Sequence, residues 1–309
     1  MNSKWRSIEI PEACPGKPDN GSSSAQTKTF RVATYNVENY LDDTASRCCV
    51  KSAASKARVR ECIRALRPDV LALQEMGSVA ALLELRVALQ AEGLDFPHWE
   101  HVTGSDANVH VAILSRFPFS AHRPHTEDSF ELGGQRFRVR RGFAEVDVQV
   151  NADYQFTLLA AHLKSKNAVL DGDATALRLE EAKLLRSKID ARLATNAAAK
   201  LIVLGDFNDT EDSATLRTIR GSGRGELFDP QPKEGGSSAG VKPGVTAQGA
   251  AWTAYWEEMD RYERIDYLLM SQAIRVDWIP AESQVLAMPD WKTASDHRPV
   301  VATFRIGPE

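Results

Sequence analysis

An acidic and an amide side chain directly follow an apolar run in the stretch LIVLGDFNDT, residues 201–210. Side chains alternate sides along an extended chain, so Asp206 and Asn208 should face one way and Phe207 the other. The carboxylate and the amide would then share one ligand. Taken alone, Asp206 is most simply explained as a turn residue or a helix N-cap, and Asp209 is interpreted as a turn residue.

The same pattern recurs in other apolar segments, each of which ends in or is interrupted by a group that can bind metal or phosphate. These groups are Asn36 in ATYNVEN, Glu75 in LALQE, His162 in LAAHLKSK, Asp266 in RIDYLL, and Asp296 with His297 in SDHRPV. Strand ends converge in α/β folds, so we expect the groups to meet. Taken singly, Glu75 caps a strand, Asn36 bonds backbone and His162 is a satisfied core histidine. Asp266 is harder to explain in this way, because an unpaired carboxylate inside an apolar strand costs several kcal/mol.

Together these groups form one chemical set. Oxygen ligands without cysteine suit Mg²⁺ or Mn²⁺, which proteins hold with one or two carboxylates plus substrate phosphate. Two histidines beside them suit protonation of a leaving oxygen or stabilisation of negative charge on phosphorus. The set predicts metal-assisted chemistry at a phosphate.

The motifs TYNVEN, LALQE, AHLKS, GDFND, RIDYLL and SDHRPV also occur in a characteristic order and spacing. In this respect the sequence resembles the endonuclease/exonuclease/phosphatase superfamily, which includes pancreatic deoxyribonuclease and exonuclease III, over about residues 30–306. The resemblance implies an α/β (α+β) fold, a four-layer αββα sandwich of two packed mixed β-sheets flanked by helices. It also implies a metal-dependent phosphoester hydrolase.

The resemblance implies roles for five catalytic residues. Asp206 matches the aspartate that orients or deprotonates the attacking water, and Asn208 matches its partner on the phosphate. Asp266 matches the carboxylate that pairs with the closing histidine, here His297. His162 lies where the deoxyribonuclease branch has a second histidine and the abasic-endonuclease branch has a tyrosine. Whether His162 or a metal-bound water protonates the leaving group stays open.

The resemblance also implies the metal ligands. Glu75 matches the metal-binding glutamate of the family, Asn36 matches the asparagine beside it, and Asp296 matches the neighbouring acid near the metal. We expect the cofactor to be Mg²⁺ or Mn²⁺. The attacking water must lie in line with the leaving oxygen, and charge on the non-bridging oxygens must be neutralised.

Two basic residues are candidates for contact with the substrate phosphate. In FRVRRGFAEVDV the apolar residues change from odd-numbered to even-numbered positions near Gly142. A glycine bulge would explain this change, and bulges re-aim side chains near active sites. The family has a phosphate-contacting arginine at about this place, which we assign to Arg141, with Arg140 in reserve. The alternative is an exposed basic strand face formed by Arg136, Arg138 and Arg140.

The second basic candidate is Lys164, two residues beyond His162. It shares a face with His162 if the strand continues, and is a solvated strand end if it does not. Trp256, in AWTAYWEEMD, is a candidate for stacking on a base or sugar, although a core aromatic is the commoner outcome.

Apolar periodicity and turn residues predict the elements that position these groups. Predicted strands lie at 30–37, 69–75, 109–118 and 264–271 and at the C-terminal end, and two long strands at 136–150 and 154–166 are joined by a hairpin at NADY. Predicted helices lie at 56–67, 80–92 and 174–194, and residues 211–250 are interpreted mostly as a long loop. About ten strands are too many for one layer, which favours two packed sheets.

Composition limits the remaining alternatives. The 309 residues predict a flexible leader at 1–28 and one domain at 29–309, and the 43% hydrophobic and 26% charged residues are typical of a soluble globular protein. No apolar run is long enough to cross a bilayer and no signal peptide is evident, although a trimmed leader would allow secretion. Of the cysteines at 14, 48, 49 and 62, Cys62 is interpreted as a helix-core residue, and a disulfide forms only if the compartment is oxidising.

Three functions are compatible with these features. The first is a nuclease that cleaves DNA or RNA, and the second is a phosphatase or a lipid or small-molecule phosphodiesterase of the same superfamily. The formal net charge of −4 gives no global attraction for nucleic acid, so phosphate binding must come from a local patch or a metal. The third, a catalytically silent binding module, predicts loss of Glu75, Asp206, Asp266 or His297, and none is lost. A monomer is expected.

Overall fold

The computed structural model describes residues 29–42, 50–166, 173–236 and 251–307. Within these ranges the chain forms sixteen strands. They are β1 Thr29–Tyr40, β2 Val70–Met76, β3 His98–Val102, β4 His110–Ser115, β5 Phe119–His125, β6 Ser129–Leu132, β7 Gln135–Arg138, β8 Phe143–Gln149, β9 Gln155–His162, β10 Leu201–Asp206, β11 Lys233–Gly236, β12 Ala254–Trp256, β13 Arg261–Glu263, β14 Asp266–Met270, β15 Trp278–Ala287 and β16 Val300–Arg305.

The same ranges contain five α-helices, α1 Ala53–Leu66, α2 Val79–Ala91, α3 Ala174–Thr195, α4 Ala214–Arg220 and α5 Gln272–Arg275. Side chains cap the first three: Ser52 accepts from Ser55 N, Ser78 from Ala80 N, and Asp173 from Thr175 N. Each such cap stabilises a helix by about 1 kcal/mol. None of the described helices is long and apolar enough to span a bilayer.

The strands form two large mixed sheets and two short ribbons. The first sheet has seven strands in the order β11-β15-β16-β1-β2-β4-β3, and the second has five in the order β14-β10-β9-β8-β5. Parallel pairing of β1 with β2 and of β9 with β10 lies beside antiparallel neighbours in both. The pairs β6–β7 and β12–β13 form the separate ribbons.

Strand alternation divides the apolar side chains between an inner and an outer layer. In β10, Ile202 and Leu204 join the core between the two sheets, whereas Leu201 and Val203 face the outer side. The outer face of the second sheet is covered by α3 and α4, and that of the first sheet by α1 and α2. These layers confirm the predicted four-layer αββα sandwich.

One prediction about local structure is wrong. Residues 136–150 do not form one strand: β7 ends at Arg138 and β8 begins at Phe143. At the break, Gly142 has φ +68°, and a Cβ there would lie 2.7 Å from both His125 O and Thr103 O. The apolar phase therefore slips because the strand is interrupted, and not because of a bulge within it.

Within the segment 211–250, interpreted as mostly loop, the described residues contain α4 and β11, and residues 237–250 lie outside the described part of the chain. Its apolar residues Leu216 and Ile219 pack under the second sheet, which the surrounding Gly- and Ser-rich composition concealed. Cys62 is buried in α1, as predicted. The predicted leader and Cys14, Cys48 and Cys49 lie outside the described residues.

Candidate active site

The two sheets bring their polar strand ends together around Asp206, the last residue of β10. In the second sheet Asp206 pairs with His162 of β9 on one side and with Asp266 of β14 on the other. From the first sheet, Asn36 Nδ2 donates to Asp206 Oδ2 at 3.0 Å. The sequence-predicted groups therefore meet where both sheets end.

A glycine allows β9 and β10 to approach each other at this point. Gly205 has φ +136°, and a Cβ there would lie 1.9 Å from Ala161 O. No larger residue fits between the strands without moving the backbone. Sequence analysis did not identify this role, although the glycine directly precedes Asp206.

Asp206 is buried and receives several polar contacts. Its Oδ1 accepts the backbone N–H of Asn208 at 2.9 Å, and its Oδ2 accepts Asn208 Nδ2 at 3.3 Å. The Oδ2 atom also lies 3.4 Å from His162 Nε2. Burial raises the pKa of the Asp206 carboxyl to about 7, against the lowering effect of the nearby His297 charge. Asp206 is therefore a stronger base than an exposed aspartate.

Asn208 reaches Asp206 by a route different from the predicted one. The strand ends at Asp206, and Asn208 has φ +53°, in the left-handed region. Its backbone N–H and side-chain amide both turn back to Asp206, while Phe207 packs in the outer core against Tyr267. The predicted shared location is confirmed, but a tight turn produces it rather than strand alternation.

His297 and Asp266 form a buried pair beside Asp206. His297 Nδ1 lies 2.8 Å from Asp266 Oδ2, and Nε2 lies 3.9 Å from Asp206 Oδ2. Burial alone would lower the pKa of His297, but the charges of Asp266, Asp296 and Asp206 raise it well above its ordinary value. A charged imidazolium is therefore favoured here.

Two hydroxyl groups that sequence analysis missed position this pair. Ser295 Oγ donates to Asn36 O at 2.8 Å and accepts His297 N–H at 3.0 Å, which fixes the histidine segment to β1. Thr253 Oγ1 accepts the backbone N–H groups of Ile265 and Asp266, each at 3.0 Å. Ser295 lies within the motif SDHRPV, two residues before His297, whereas Thr253 lies outside the six motifs and acts on residues 12 and 13 positions later.

Glu75 joins the cluster through Asn36. The Asn36 amide donates to Glu75 Oε1 at 3.2 Å as well as to Asp206, and Asn39 N–H donates to Glu75 Oε2 at 3.0 Å. Glu75 is partly exposed and has φ +60°. A non-glycine residue held in that region costs about 1–3 kcal/mol, and such strain concentrates at functional sites.

His162 is completely enclosed. Its Nδ1 has no hydrogen-bond partner among the described residues. Burial, together with the positive charges of Arg141 and His297, lowers the pKa of His162 well below its ordinary value. The imidazole is therefore favoured as neutral, a state in which it donates a hydrogen bond through one ring nitrogen only.

The two predicted phosphate ligands lie in different places. Arg141 is buried and its Nη1 donates to Leu163 O at 3.2 Å, the same carbonyl that accepts Asn208 Nδ2 at 3.1 Å. Strand parity does not place Lys164 on the face of His162, because β9 ends at His162, and the Nζ of Lys164 donates to Ser165 O at 2.8 Å. The condition that the strand continues is not met.

The structure also places three other residues that the sequence analysis singled out. Asp296 is half exposed at the rim, with Oδ1 3.8 Å from His297 Nε2. Trp256 is half-buried and donates through Nε1 to Glu263 at 3.2 Å. Asp209 is more than a turn residue, because its Oδ2 lies 3.1 Å from Arg178 Nε and anchors α3 to the end of β10.

The cluster fits a divalent metal. Asp206, Asp266 and His297 each offer a ligand atom, and these atoms lie within 4.8 Å of one another. Asp266 Oδ1 is buried and has no hydrogen-bond partner in the described residues. Each Glu75 oxygen accepts one hydrogen bond and has a further lone pair. Because a charged His297 offers no free lone pair, the oxygen donors beside it, above all those of Glu75, are the ones that suit Mg²⁺ or Mn²⁺.

Comparison with known proteins agrees with the fold. The model of the endonuclease/exonuclease/phosphatase family matches residues 33–297. The chain belongs to this family of divalent-metal-dependent hydrolases. Among curated proteins, none matches the sequence significantly.

Several solved structures share the fold. Sphingomyelinase C from Streptomyces griseocarneus matches at 19% identity and a TM-score of 0.58, over 90% of this chain and 100% of that one. An endonuclease/exonuclease/phosphatase protein from Beutenbergia cavernae matches at 23% identity and 0.60, over 90% and 72%. Truncated TDP2 from Caenorhabditis elegans matches at 17% identity and 0.57, over 90% and 98%.

Proposed function

We propose that the protein is a Mg²⁺- or Mn²⁺-dependent phosphodiesterase of the nuclease type, which cleaves DNA or RNA by in-line attack of water. The observation that carries the proposal is the arrangement around Asp206. Its carboxylate receives hydrogen bonds from Asn36 and Asn208, and His297, paired with Asp266, lies 3.9 Å away. A base and a cationic group thus lie side by side within one phosphate's reach.

The residues divide the work of hydrolysis. Asp206 accepts the proton of the attacking water, for which its raised pKa is suited. The His297 imidazolium, held by Asp266, hydrogen-bonds a non-bridging oxygen as negative charge develops. Asn208 and Arg141, joined through the Leu163 carbonyl, orient the phosphate.

The leaving group and the metal involve the other residues. Neutral His162 donates a hydrogen bond toward the leaving oxygen or holds Asp206 in place, and its Nε2 lies 3.4 Å from Asp206 Oδ2. Glu75, oriented by Asn36 and with Asp296 nearby, would hold the metal. When bound, the metal supplies charge neutralisation at the phosphate.

A substrate panel tests the proposal. Plasmid DNA, single-stranded oligonucleotide, RNA, bis-p-nitrophenyl phosphate, sphingomyelin and inositol phosphates are incubated with Mg²⁺, with Mn²⁺ and with EDTA. We expect metal-dependent cleavage of DNA or RNA and of bis-p-nitrophenyl phosphate, with none in EDTA. Cleavage of sphingomyelin or inositol phosphates alone would establish the alternative function, and full hydrolysis in EDTA would refute the metal dependence.

A further inference from the structure

A groove with basic walls lies between the β6–β7 ribbon and helix α3. Its volume is about 440 Å³. Four basic and two aromatic residues contribute to its lining, namely Arg136, Arg138, Arg140, Lys164, Phe130 and Phe137. We call this feature the basic groove. Local positive charge of this kind is what a chain with a net charge of −4 needs to attract a polyanion.

The one acidic residue in the groove lining offsets only part of the charge of the four basic residues. Glu181 is buried, and its oxygens accept the backbone N–H groups of Arg140 at 3.1 Å and Lys164 at 2.6 Å. Arg140 and Arg138 each donate to one carboxylate, of Asp106 and Glu127 respectively, through a single nitrogen. A guanidinium has five N–H donors, so both retain donors for a phosphate.

The ionisation of Lys164 reports the same positive environment. Burial lowers the pKa of Lys164, and the adjacent charges of Arg141 and Arg140 lower it further, to about 8. Cations that repel one another in this way are each stabilised by an anion placed between them.

The basic groove adjoins the active site at two places in the chain, Arg140–Arg141 and Leu163–Lys164. Arg141 and Leu163 contact each other at the site, where the Leu163 carbonyl also binds Asn208. Their chain neighbours Arg140 and Lys164 line the groove. Neighbouring Cα atoms are about 3.8 Å apart, so the groove begins next to the phosphate position.

The aromatic residues give the groove an apolar wall. Phe130 and Phe137 stack on each other across β6 and β7, with ring centroids 5.8 Å apart and an interplanar angle of 19°. Aromatic faces beside a cationic track are the combination that binds single-stranded nucleic acid without sequence preference. A lipid headgroup with one phosphate would engage only one of these two features.

We propose that the basic groove is a second subsite, which binds the nucleotide flanking the scissile phosphodiester of a single-stranded substrate. The flanking phosphate lies against Arg136, Arg138 and Arg140, and its base or sugar contacts Phe130 and Phe137. This inference rests on the proposed function, because the flanking position is defined by cleavage at Asp206.

Binding measured without turnover tests the subsite. Fluorescence anisotropy of a labelled single-stranded oligonucleotide in EDTA gives Kd for the full chain and for the double variant Arg136→Gln/Arg138→Gln. The matched control, Arg64→Gln/Arg217→Gln, makes the same charge change on exposed residues of α1 and α4. We expect Kd to rise at least about tenfold in the groove variant alone, and its salt slope to fall by about 1 per lost phosphate contact.

Kinetics separate failure of the subsite from failure of the proposed function. The ratio of kcat/KM on oligonucleotide to kcat/KM on bis-p-nitrophenyl phosphate should fall in the groove variant and stay unchanged in the control. Wild-type protein that hydrolyses no phosphodiester with metal overturns the function, whereas activity with equal Kd values for groove and control variants overturns the subsite alone. The subsite would also be overturned if the groove variant lost binding to sphingomyelin vesicles but kept its binding to the oligonucleotide. Circular dichroism and Tm check that both variants fold.

Discussion

His297 Nδ1 lies 2.8 Å from Asp266 Oδ2, and both side chains are buried. This pairing fixes the imidazole so that Nε2 points toward Asp206 Oδ2, at 3.9 Å. The Asp266 charge also accounts for much of the raised pKa of His297, against the opposing effect of burial. In the proposed mechanism, Asp266 therefore acts on the reaction through the histidine, as a positioning residue.

Replacing Asp266 should thus affect both rate and ionisation. In Asp266→Asn we expect kcat on bis-p-nitrophenyl phosphate to fall at least about a hundredfold, because the cation that stabilises the developing charge is lost. The pKa of His297, followed by NMR of its ring protons in metal-free protein, should fall as well. An unchanged histidine titration would contradict the positioning role even if activity were lost.

Replacing Asp206 should remove the base while preserving the fold. Asp206→Asn is nearly isosteric, and we expect kcat to fall at least about a hundredfold, as is typical for a general base. Asp212→Asn, at an exposed position on the loop after β10, is the matched control and should retain wild-type activity. Wild-type kcat in Asp206→Asn would exclude it as the base.

Removing the Glu75 carboxylate should weaken metal binding. Metal binding is measured by Tm and not by activity. Addition of Mg²⁺ or Mn²⁺ should raise the Tm of the wild-type protein, because a ligand that binds only the folded state stabilises it. In Glu75→Gln the metal concentration needed for that rise should increase about tenfold or more. The exposed Glu258→Gln variant provides the control. Equal metal titrations for Glu75→Gln and wild type would remove Glu75 from the metal site.

Gly205 should tolerate no side chain. In Gly205→Ala the new Cβ would lie 1.9 Å from Ala161 O, and the residue would keep a positive φ. We therefore expect the free energy of unfolding to fall by at least about 2 kcal/mol. Gly133→Ala is the control, because it also has positive φ, +60°, but no atom within 4 Å of its Cβ. It should lose only about 1 kcal/mol. Urea unfolding compares the two, and equal losses would contradict a steric role for Gly205.

Much of the fold and site follows from local sequence pattern. An apolar run that ends in Asp206 and one that follows Asp266 identify buried strands, and alternation along β10 assigns Ile202 and Leu204 to the inner core. Chemical consistency among the polar strand ends then predicts one site, since a solitary buried carboxylate would be costly.

The remaining features depend on where regular structure stops. Alternation of side chains along a strand predicts Lys164 on the face of His162. Because β9 ends at His162, this alternation does not extend to Lys164. Likewise, the change of apolar phase near Gly142 does not distinguish a bulge from an interruption of the strand, and the carbonyls of His125 and Thr103 that exclude a Cβ there are distant in the chain. Contacts between residues far apart in the chain, such as Ser295 with Asn36, leave no local signal.

Stability in acid should depend on Glu145, which lies outside the active site. Burial disfavours its charge, but His125, Arg123 and Arg192 outweigh burial and lower the pKa of Glu145 to about 2. A carboxyl with a lowered folded-state pKa contributes stability that is complete above its ordinary pKa of about 4.5 and is lost as pH falls toward 2. Glu145→Gln should therefore lower the urea midpoint at about pH 6, and the difference from wild type should shrink toward pH 3. Glu131→Gln, exposed on β6, is the control and should show no such pH-dependent difference. If the urea midpoints of wild type and Glu145→Gln differ by the same amount at both pH values, the Glu145 charge does not contribute as proposed.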